Sequence, residues 1–94
     1  MEKCSPDTRF LVTSETLMKF FDNKVALAHM HTKRFHILNR EAALIWKSIC
    51  AGNSRIEIEQ LIRGEYEVEP DELSKGIDGL LTMLKSENFI SHRS

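Results

Sequence analysis

The spacing of apolar residues changes along the chain, from short dense runs in the first half to helical periodicity in the second. Three runs rich in apolar and aromatic residues occupy 16–21, 25–30 and 34–38. Only three residues separate each run from the next. Spacers this short predict hairpins, so we expect a three-stranded antiparallel meander.

Alternation within the runs does not decide which side chains face the core. In the third run Phe35 and Ile37 have one parity, whereas Leu38 has the other. A shift of one residue moves every side chain of a strand to the opposite face. The sequence therefore does not decide which side chains of the third strand face the core.

Capping residues mark the first two predicted helices. Asn39 is a suitable N-cap for a helix at 40–51, and Gly52 is a suitable residue to end it. Ser54 and Glu57, three residues apart, form a capping-box pattern. They predict a second helix that runs to about residue 64.

A third helix is predicted from Pro70 to about Glu87, with proline at its first turn and acidic residues near its positive end. Gly76 and Gly79 interrupt it, and each costs about 1 kcal/mol relative to alanine. Either close helix packing or room for a bound backbone explains them. Asn88 suits the left-handed position that follows the helix.

Each helix carries one apolar stripe at helical spacing, which predicts its buried side. The residues expected in the core are Ala42, Ile45, Trp46 and Ile49, then Ile58, Leu61 and Ile62, then Leu73, Ile77, Leu80, Leu81 and Leu84, with Phe89 and Ile90 folded back onto them. Residues 1–14 show no periodicity and are expected to form an irregular arm. The order of elements predicts one α+β domain at 15–94, a three-stranded meander followed by three helices in a winged-helix-like arrangement.

Composition is that of a small globular domain. The 94 residues are 41% hydrophobic and 29% charged, with a formal net charge of −1. No signal-peptide core opens the chain, and no apolar run approaches the roughly 18 residues that span a bilayer. Two cysteines, Cys4 and Cys50, are too few for a disulfide framework, and Cys50 is expected to be buried and inert. We expect a cytoplasmic protein without a membrane partner.

Catalytic and metal chemistry are disfavoured. His29, His31 and His36 lie near the second predicted hairpin, but a zinc site needs three or four converging ligands and no accompanying ligand motif is present. Cys50 lacks an orienting third group beside a histidine in any recognisable motif. No glycine-rich phosphate loop occurs. The sequence predicts no catalytic residues, no metal site, no cofactor and no enzyme activity.

A winged-helix DNA-binding regulator is the alternative that the predicted fold suggests. Such a protein places a basic recognition helix against the phosphates. The second and third predicted helices are instead predominantly acidic, and the whole chain has 13 basic and 14 acidic residues. We therefore expect no nucleic-acid partner.

Peptide binding remains. A three-stranded meander has two edges, and an uncovered edge is a row of unpaired N–H and C=O groups. Lys33, Arg34 and His36 add positive charge to the third strand. Such charges are compatible with protection against aggregation, and equally with an extended peptide that adds to the edge as a strand.

Taken in order, several short segments resemble the PqqD-like family, the recognition elements for precursors of ribosomally made, modified peptides. They are 24–27, 34–39, 43–46, Gly52, 58–61, 66–70, Leu80, Leu81, Leu84, Phe89 and Ile90. The resemblance extends over about 16–90. It implies a non-catalytic protein that captures the leader of a precursor peptide by strand addition to the third strand and delivers it to a maturation enzyme.

The resemblance also implies a site between the third strand and the third helix. The residues expected to bind the peptide are Lys33, Arg34, Phe35, His36 and Ile37 on the strand, and Ile77, Asp78, Leu81 and Lys85 on the helix. The opposite flank of that helix, with Gly76, Gly79 and Met83, stays open as an alternative. The free-standing size is similar to that of leader-binding proteins in lasso-peptide pathways, which implies a leader peptidase as the enzyme; a radical enzyme is the other candidate.

Overall fold

The chain folds into two small antiparallel sheets and three helices in a computed structural model that describes residues 9–67 and 69–93. The elements are β1 (Arg9–Val12), β2 (Thr16–Phe21), β3 (Lys24–His29), β4 (Phe35–Leu38), α1 (Arg40–Cys50), α2 (Arg55–Glu65), α3 (Pro70–Ser86) and β5 (Ile90–Arg93). One sheet has the order β2-β3-β4 and the other pairs β1 with β5. The predicted meander followed by three helices is confirmed, and the predicted boundaries agree to within about a residue.

The register of the meander settles the faces that alternation left open. Val25 and Leu27 of β3 are fully buried and face the helices. Leu38 pairs with Val25, and His36 pairs with Leu27, so both point inward. The side chains of Phe35 and Ile37 therefore point to the opposite side of the sheet.

Local capping chemistry begins and ends the helices as predicted. The Asn39 side chain accepts a hydrogen bond from the backbone N–H of Ala42, in the first turn of α1, at 2.9 Å. The reciprocal capping box of Ser54 and Glu57 is complete at the start of α2. Gly52 and Asn88 have φ angles of 87° and 65°, the left-handed conformation that follows a helix.

The core lies between the inner face of the meander and the three helices. Its buried apolar residues are Phe10, Val25, Leu27, Leu38, Ala43, Ile45, Trp46, Ile49, Ile58, Ile62, Leu73, Ile77, Leu81, Leu84, Phe89 and Ile90. Ala42 and Leu80 are only partly buried against it. The predictions for Leu61 and Cys50 are wrong: both are exposed, because each lies beside rather than on the stripe that faces the core.

The irregular arm predicted for 1–14 is wrong over Arg9–Val12, which forms β1 and pairs with β5. The prediction fails because a long-range pairing completes a small second sheet. Phe10 of β1 is only 3% exposed. Residues 1–8, with Cys4, lie outside the described part. Thr13, just after β1, donates its backbone N–H to the carbonyl of Phe89 at 3.0 Å and so holds β1 against the end of α3.

Candidate peptide-binding groove

β4 forms one edge of the meander, and no strand in the described part of the chain pairs with its outer side. The carbonyl of Arg34 accepts an N–H from the last residue of β3. Residues of one parity in an antiparallel ladder bond to the same neighbour, so His36 and Leu38 also bond toward β3. Phe35 and Ile37 therefore direct their backbone N–H and C=O groups to the open edge.

The turn before β4 fixes where this edge begins. His29 is buried, and its Nδ1 accepts the backbone N–H groups of His31 and Thr32, each at 3.2 Å. Lys33 has a φ of 63° and donates its N–H to the carbonyl of His29. A neutral His29 imidazole with the proton on Nε2 is the form that accepts both bonds. Lys33 thus lies in the turn, and the strand begins two residues later.

Glu87 joins the end of α3 to the start of β4. One of its carboxylate oxygens lies 3.2 Å from Nε of Arg34, and the other lies 3.7 Å from Nε2 of His36. The His36 ring also packs edge-on against Phe89, with 5.8 Å between ring centroids. These contacts close one end of the space between β4 and α3.

A cavity of about 310 Å³ lies beyond the other end of β4, with walls from α1, α2 and α3. Asn39, the residue that follows β4, contributes to its lining beside Gly76 and Leu80 of α3. Its walls are mostly apolar, while Glu41 and Glu72 add carboxylates. We define the groove as the space along α3 from the contacts of Glu87 with Arg34 and His36 to the apolar pocket beside Asn39.

One side of α3 forms the helical wall of this groove. Gly76, Leu80, Met83 and Glu87 are spaced by four, three and four residues, so they lie on one side of the helix or at its end. A Cβ atom built on Gly76 would meet no other atom within 4 Å, so open space adjoins the backbone there. This is the flank that the sequence left as the alternative.

The flank chosen from the resemblance is placed differently. Ile77 and Leu81 are 1% exposed and belong to the core, although Ile77 also reaches the wall of the pocket. Asp78 accepts a hydrogen bond from Nε of Arg55 at 3.0 Å, on the side of α3 that faces α2. Lys85 is half-buried near the end of the helix. The structure does not bring Asp78 toward the β4 edge.

The strand residues expected at the site are brought together, but on two faces. His36 lies inside, toward α3, whereas Phe35 and Ile37 are 61% and 56% exposed on the outer side of the sheet. Leu80 and Glu87 were not among the predicted peptide-binding residues, and Met83 was named only on the alternative flank. Their helical spacing was visible in the sequence, but which flank of α3 faces β4 depends on how the helix packs.

Metal ligands and the Cys50 thiol are the side chains considered above for catalytic chemistry. The described residues contain no group of three or more histidine, cysteine or acidic side chains placed to hold a metal ion. Cys50 is exposed as a residue, but neighbouring groups desolvate its thiol and raise the thiol pKa, which reduces the thiolate fraction. No helix in the described part of the chain is long and apolar enough to cross a membrane.

The arrangement is suited to binding an extended chain. The open N–H and C=O groups of Phe35 and Ile37 can pair with a guest strand, and the groove can receive its inward side chains. Main-chain pairing supplies affinity without regard to sequence, and the apolar pocket at the far end adds selectivity for side chains.

Comparison with known proteins finds a matching family model and similar solved structures. The family model described as "Coenzyme PQQ synthesis protein D (PqqD)" matches residues 24–90, from β3 to the start of β5. A structure of lasso peptide synthetase B1 complexed with the leader peptide is 28% identical, with a TM-score of 0.79, and the match covers 88% of this chain and 98% of that one. TbiB1 in complex with the TbiA(beta) leader peptide has a TM-score of 0.82 at 20% identity, covering 88% and 96%, and supports the fold. No curated protein sequence matches the chain.

Proposed function

Because the chain belongs to the PqqD family, we propose that it is a non-catalytic protein that binds the leader of a precursor peptide and presents it to a maturation enzyme. The observation that carries the proposal is the groove between the unpaired β4 edge and α3. A relative of the same fold was solved with a leader peptide, at 28% identity over nearly its whole length. The alternative of DNA binding finds no support in these comparisons.

The leader pairs with the outward N–H and C=O groups of Phe35 and Ile37 and forms a fourth strand. Its inward side chains lie between β4 and the α3 flank of Gly76, Leu80 and Met83. The enzyme is the leader peptidase of a lasso-peptide pathway, and the protein works in the cytoplasm. Holding substrate beside an enzyme raises its effective concentration, which is how a protein without catalytic groups can accelerate maturation.

Proline substitution tests the strand edge. Ile37→Pro removes an N–H that points away from β3, so the native ladder is kept and the guest loses a donor. Phe20→Pro is the matched control, because the same alternation directs the Phe20 N–H to the outer edge of β2. We expect I37P to weaken binding of the leader peptide at least tenfold in fluorescence anisotropy, and F20P to bind like the wild type.

A second measurement keeps the test independent of folding. The leader peptide is methylated at one backbone nitrogen at a time and titrated into the unmodified protein. Strand addition predicts that alternate positions lose affinity, because only every second N–H of an added strand faces β4. Uniform losses along the peptide, or a folded I37P that binds unchanged, would show that the peptide does not pair with this edge.

A further inference from the structure

The side of the meander that faces away from the helices is unusually apolar. We call it the outer face; its side chains are Leu17, Lys19, Phe21, Lys24, Ala26, Ala28, Phe35 and Ile37. An antiparallel sheet with one face on a core normally presents polar residues on the other. Here Lys19 and Lys24 are the charged residues of this set, and no described element covers the face.

The outer face is shaped as a trough. Leu17, Ala28 and Phe35 lie directly across from one another on the three strands. A depression of about 380 Å³ lies beside this row, and Met30, Lys33 and Arg34 at the turn before β4 also line it. Leu17 and Phe35 are 55% and 61% exposed, values that are common for single surface residues but not for a contiguous row.

Charge around the trough favours an acidic partner over a second copy of the chain. The segment 16–38 contains four basic residues and one acidic residue, Asp22, although the whole chain has a net charge of −1. Lys19, Lys24 and Lys33 are all exposed. Two copies packed through this face would bring like charges together, whereas an acidic rim on a different protein would complement them.

The outer face is continuous with the β4 edge. Phe35 and Ile37 contribute their side chains to the trough and their backbone groups to the edge. A peptide added to β4 projects alternate side chains onto the same side of the enlarged sheet. A protein seated on the trough therefore contacts the domain and the bound peptide together.

We propose that the outer face is the docking surface for the maturation enzyme, through an enzyme surface that is apolar at its centre and acidic at its rim. The inference rests on the proposed function and adds to it a second surface, distinct from the groove on the helical side. Leader and enzyme are then held on adjoining sides of one strand, which positions the peptide at the enzyme.

The experiment uses a leader peptidase of a lasso-peptide pathway and its precursor peptide, chosen because the leader binds this protein. Leu17→Glu with Lys19→Glu replaces an apolar and a basic side chain by acidic ones on the β2 part of the outer face, two strands away from the groove. Leu61→Glu with Arg63→Glu makes the same chemical change on α2, where Leu61 is 40% exposed. Leader affinity is measured first, by anisotropy, and the rate of precursor processing is then measured against the concentration of the domain.

We expect both double variants to bind the leader like the wild type. L17E/K19E should raise the concentration of domain needed for half-maximal processing at least tenfold, with the maximal rate unchanged, while L61E/R63E should behave as the wild type. Lys19→Glu with Lys24→Glu keeps every apolar side chain and should shift the same curve, more strongly at low salt. This charge-only variant serves if the first one does not fold.

Equal processing curves for the charge-reversed and control variants would overturn the inference. So would loss of leader binding in L17E/K19E, since the face would then belong to the peptide site. A wild-type dimer that L17E/K19E converts to a monomer in light scattering would assign the face to a second copy. Failure to find a leader that the wild type binds is seen before any enzyme is added and refutes the proposed function itself.

Discussion

Single residues in this protein act mainly through the hydrogen bonds that they give or accept at the ends of elements. His29 is the clearest case, because one buried ring nitrogen accepts two backbone N–H groups of the turn before β4. Without this acceptor two N–H groups of the turn would lose their partner, at a cost of about 1–3 kcal/mol for each that stays buried. The position of the open β4 edge therefore depends on a residue that does not itself reach the groove.

Glu57 links pH to the stability of α2. A backbone hydrogen bond at Ser54, together with the Ser54 side chain, holds the pKa of Glu57 below its ordinary value, and Arg9 at 3.2 Å lowers it further. A carboxylate with a lowered folded-state pKa stabilises the fold above its unfolded pKa, and this contribution is lost as pH falls through the folded value.

We therefore expect the urea midpoint to fall as pH drops below about 4. Glu57→Gln keeps a hydrogen-bond acceptor for the capping box but cannot titrate. The difference in midpoint between wild type and E57Q should be largest at neutral pH and shrink in acid. A difference that stays constant from pH 7 to pH 3 would show that Glu57 does not titrate in this way.

Among the elements, α3 contacts the core with one side and lines the groove with another. One side packs into the core, with Ile77, Leu81 and Leu84 each at or below 1% exposure. The adjoining side faces β4 across the groove, and there Gly76 leaves open space next to the backbone. Gly79 has the same open space but does not line the pocket, so Gly76 is the glycine of α3 whose cost to helix stability a bound ligand can explain.

Substitutions at Gly76 separate these two effects. Gly76→Ala should stabilise the protein by about 0.5–1 kcal/mol, because alanine is the better helix former and its Cβ meets no neighbour. Gly76→Trp should fill the pocket that Gly76 lines and weaken leader binding at least tenfold, while G76A binds within a few-fold of the wild type. Urea titration measures the stability of G76A, and calorimetric titration measures the leader affinities of G76A and G76W. Equal affinities for the two variants would exclude the pocket from the site.

Periodicity and capping residues were sufficient to predict β2, β3, β4 and the three helices. They were sufficient because each signal is local, as Asn39 and the Ser54–Glu57 pair illustrate. They could not predict which flank of α3 faces the strand. Asp78 and Glu87 are both acidic residues on or next to that helix, and only packing turns one toward Arg55 and the other toward Arg34.

For the molecule as a whole, the pairing of β1 with β5 closes the fold. Arg9 lies opposite Arg93 and Val12 opposite Ile90, so the two strands come from far ends of the described chain. Neither strand has clear alternation, and a pairing over such a distance in sequence leaves no local signal. This is why the sequence predicted an irregular arm at Arg9–Val12.

Phe10 shows what this closure contributes. Its side chain is 3% exposed and belongs to the core, whereas its neighbour Leu11 is 48% exposed on the same strand. Phe10→Ala should lower the free energy of unfolding by about 3–5 kcal/mol, the usual cost of deleting a buried phenyl ring. Leu11→Ala should change it by less than about 0.5 kcal/mol. Comparable losses in the two variants, measured by urea titration, would place Phe10 outside the cooperative core.

The meander has two unpaired edges among the described residues, β2 and β4. Two different open edges on one molecule allow open-ended, head-to-tail association of many copies. If the β2 edge of one molecule pairs with the β4 edge of the next, each addition leaves both ends open, and the assembly lengthens as a linear polymer. A leader peptide on β4 occupies one of the two ends that such growth requires. The substrate would then act as a chain terminator, keeping the protein monomeric while it is loaded.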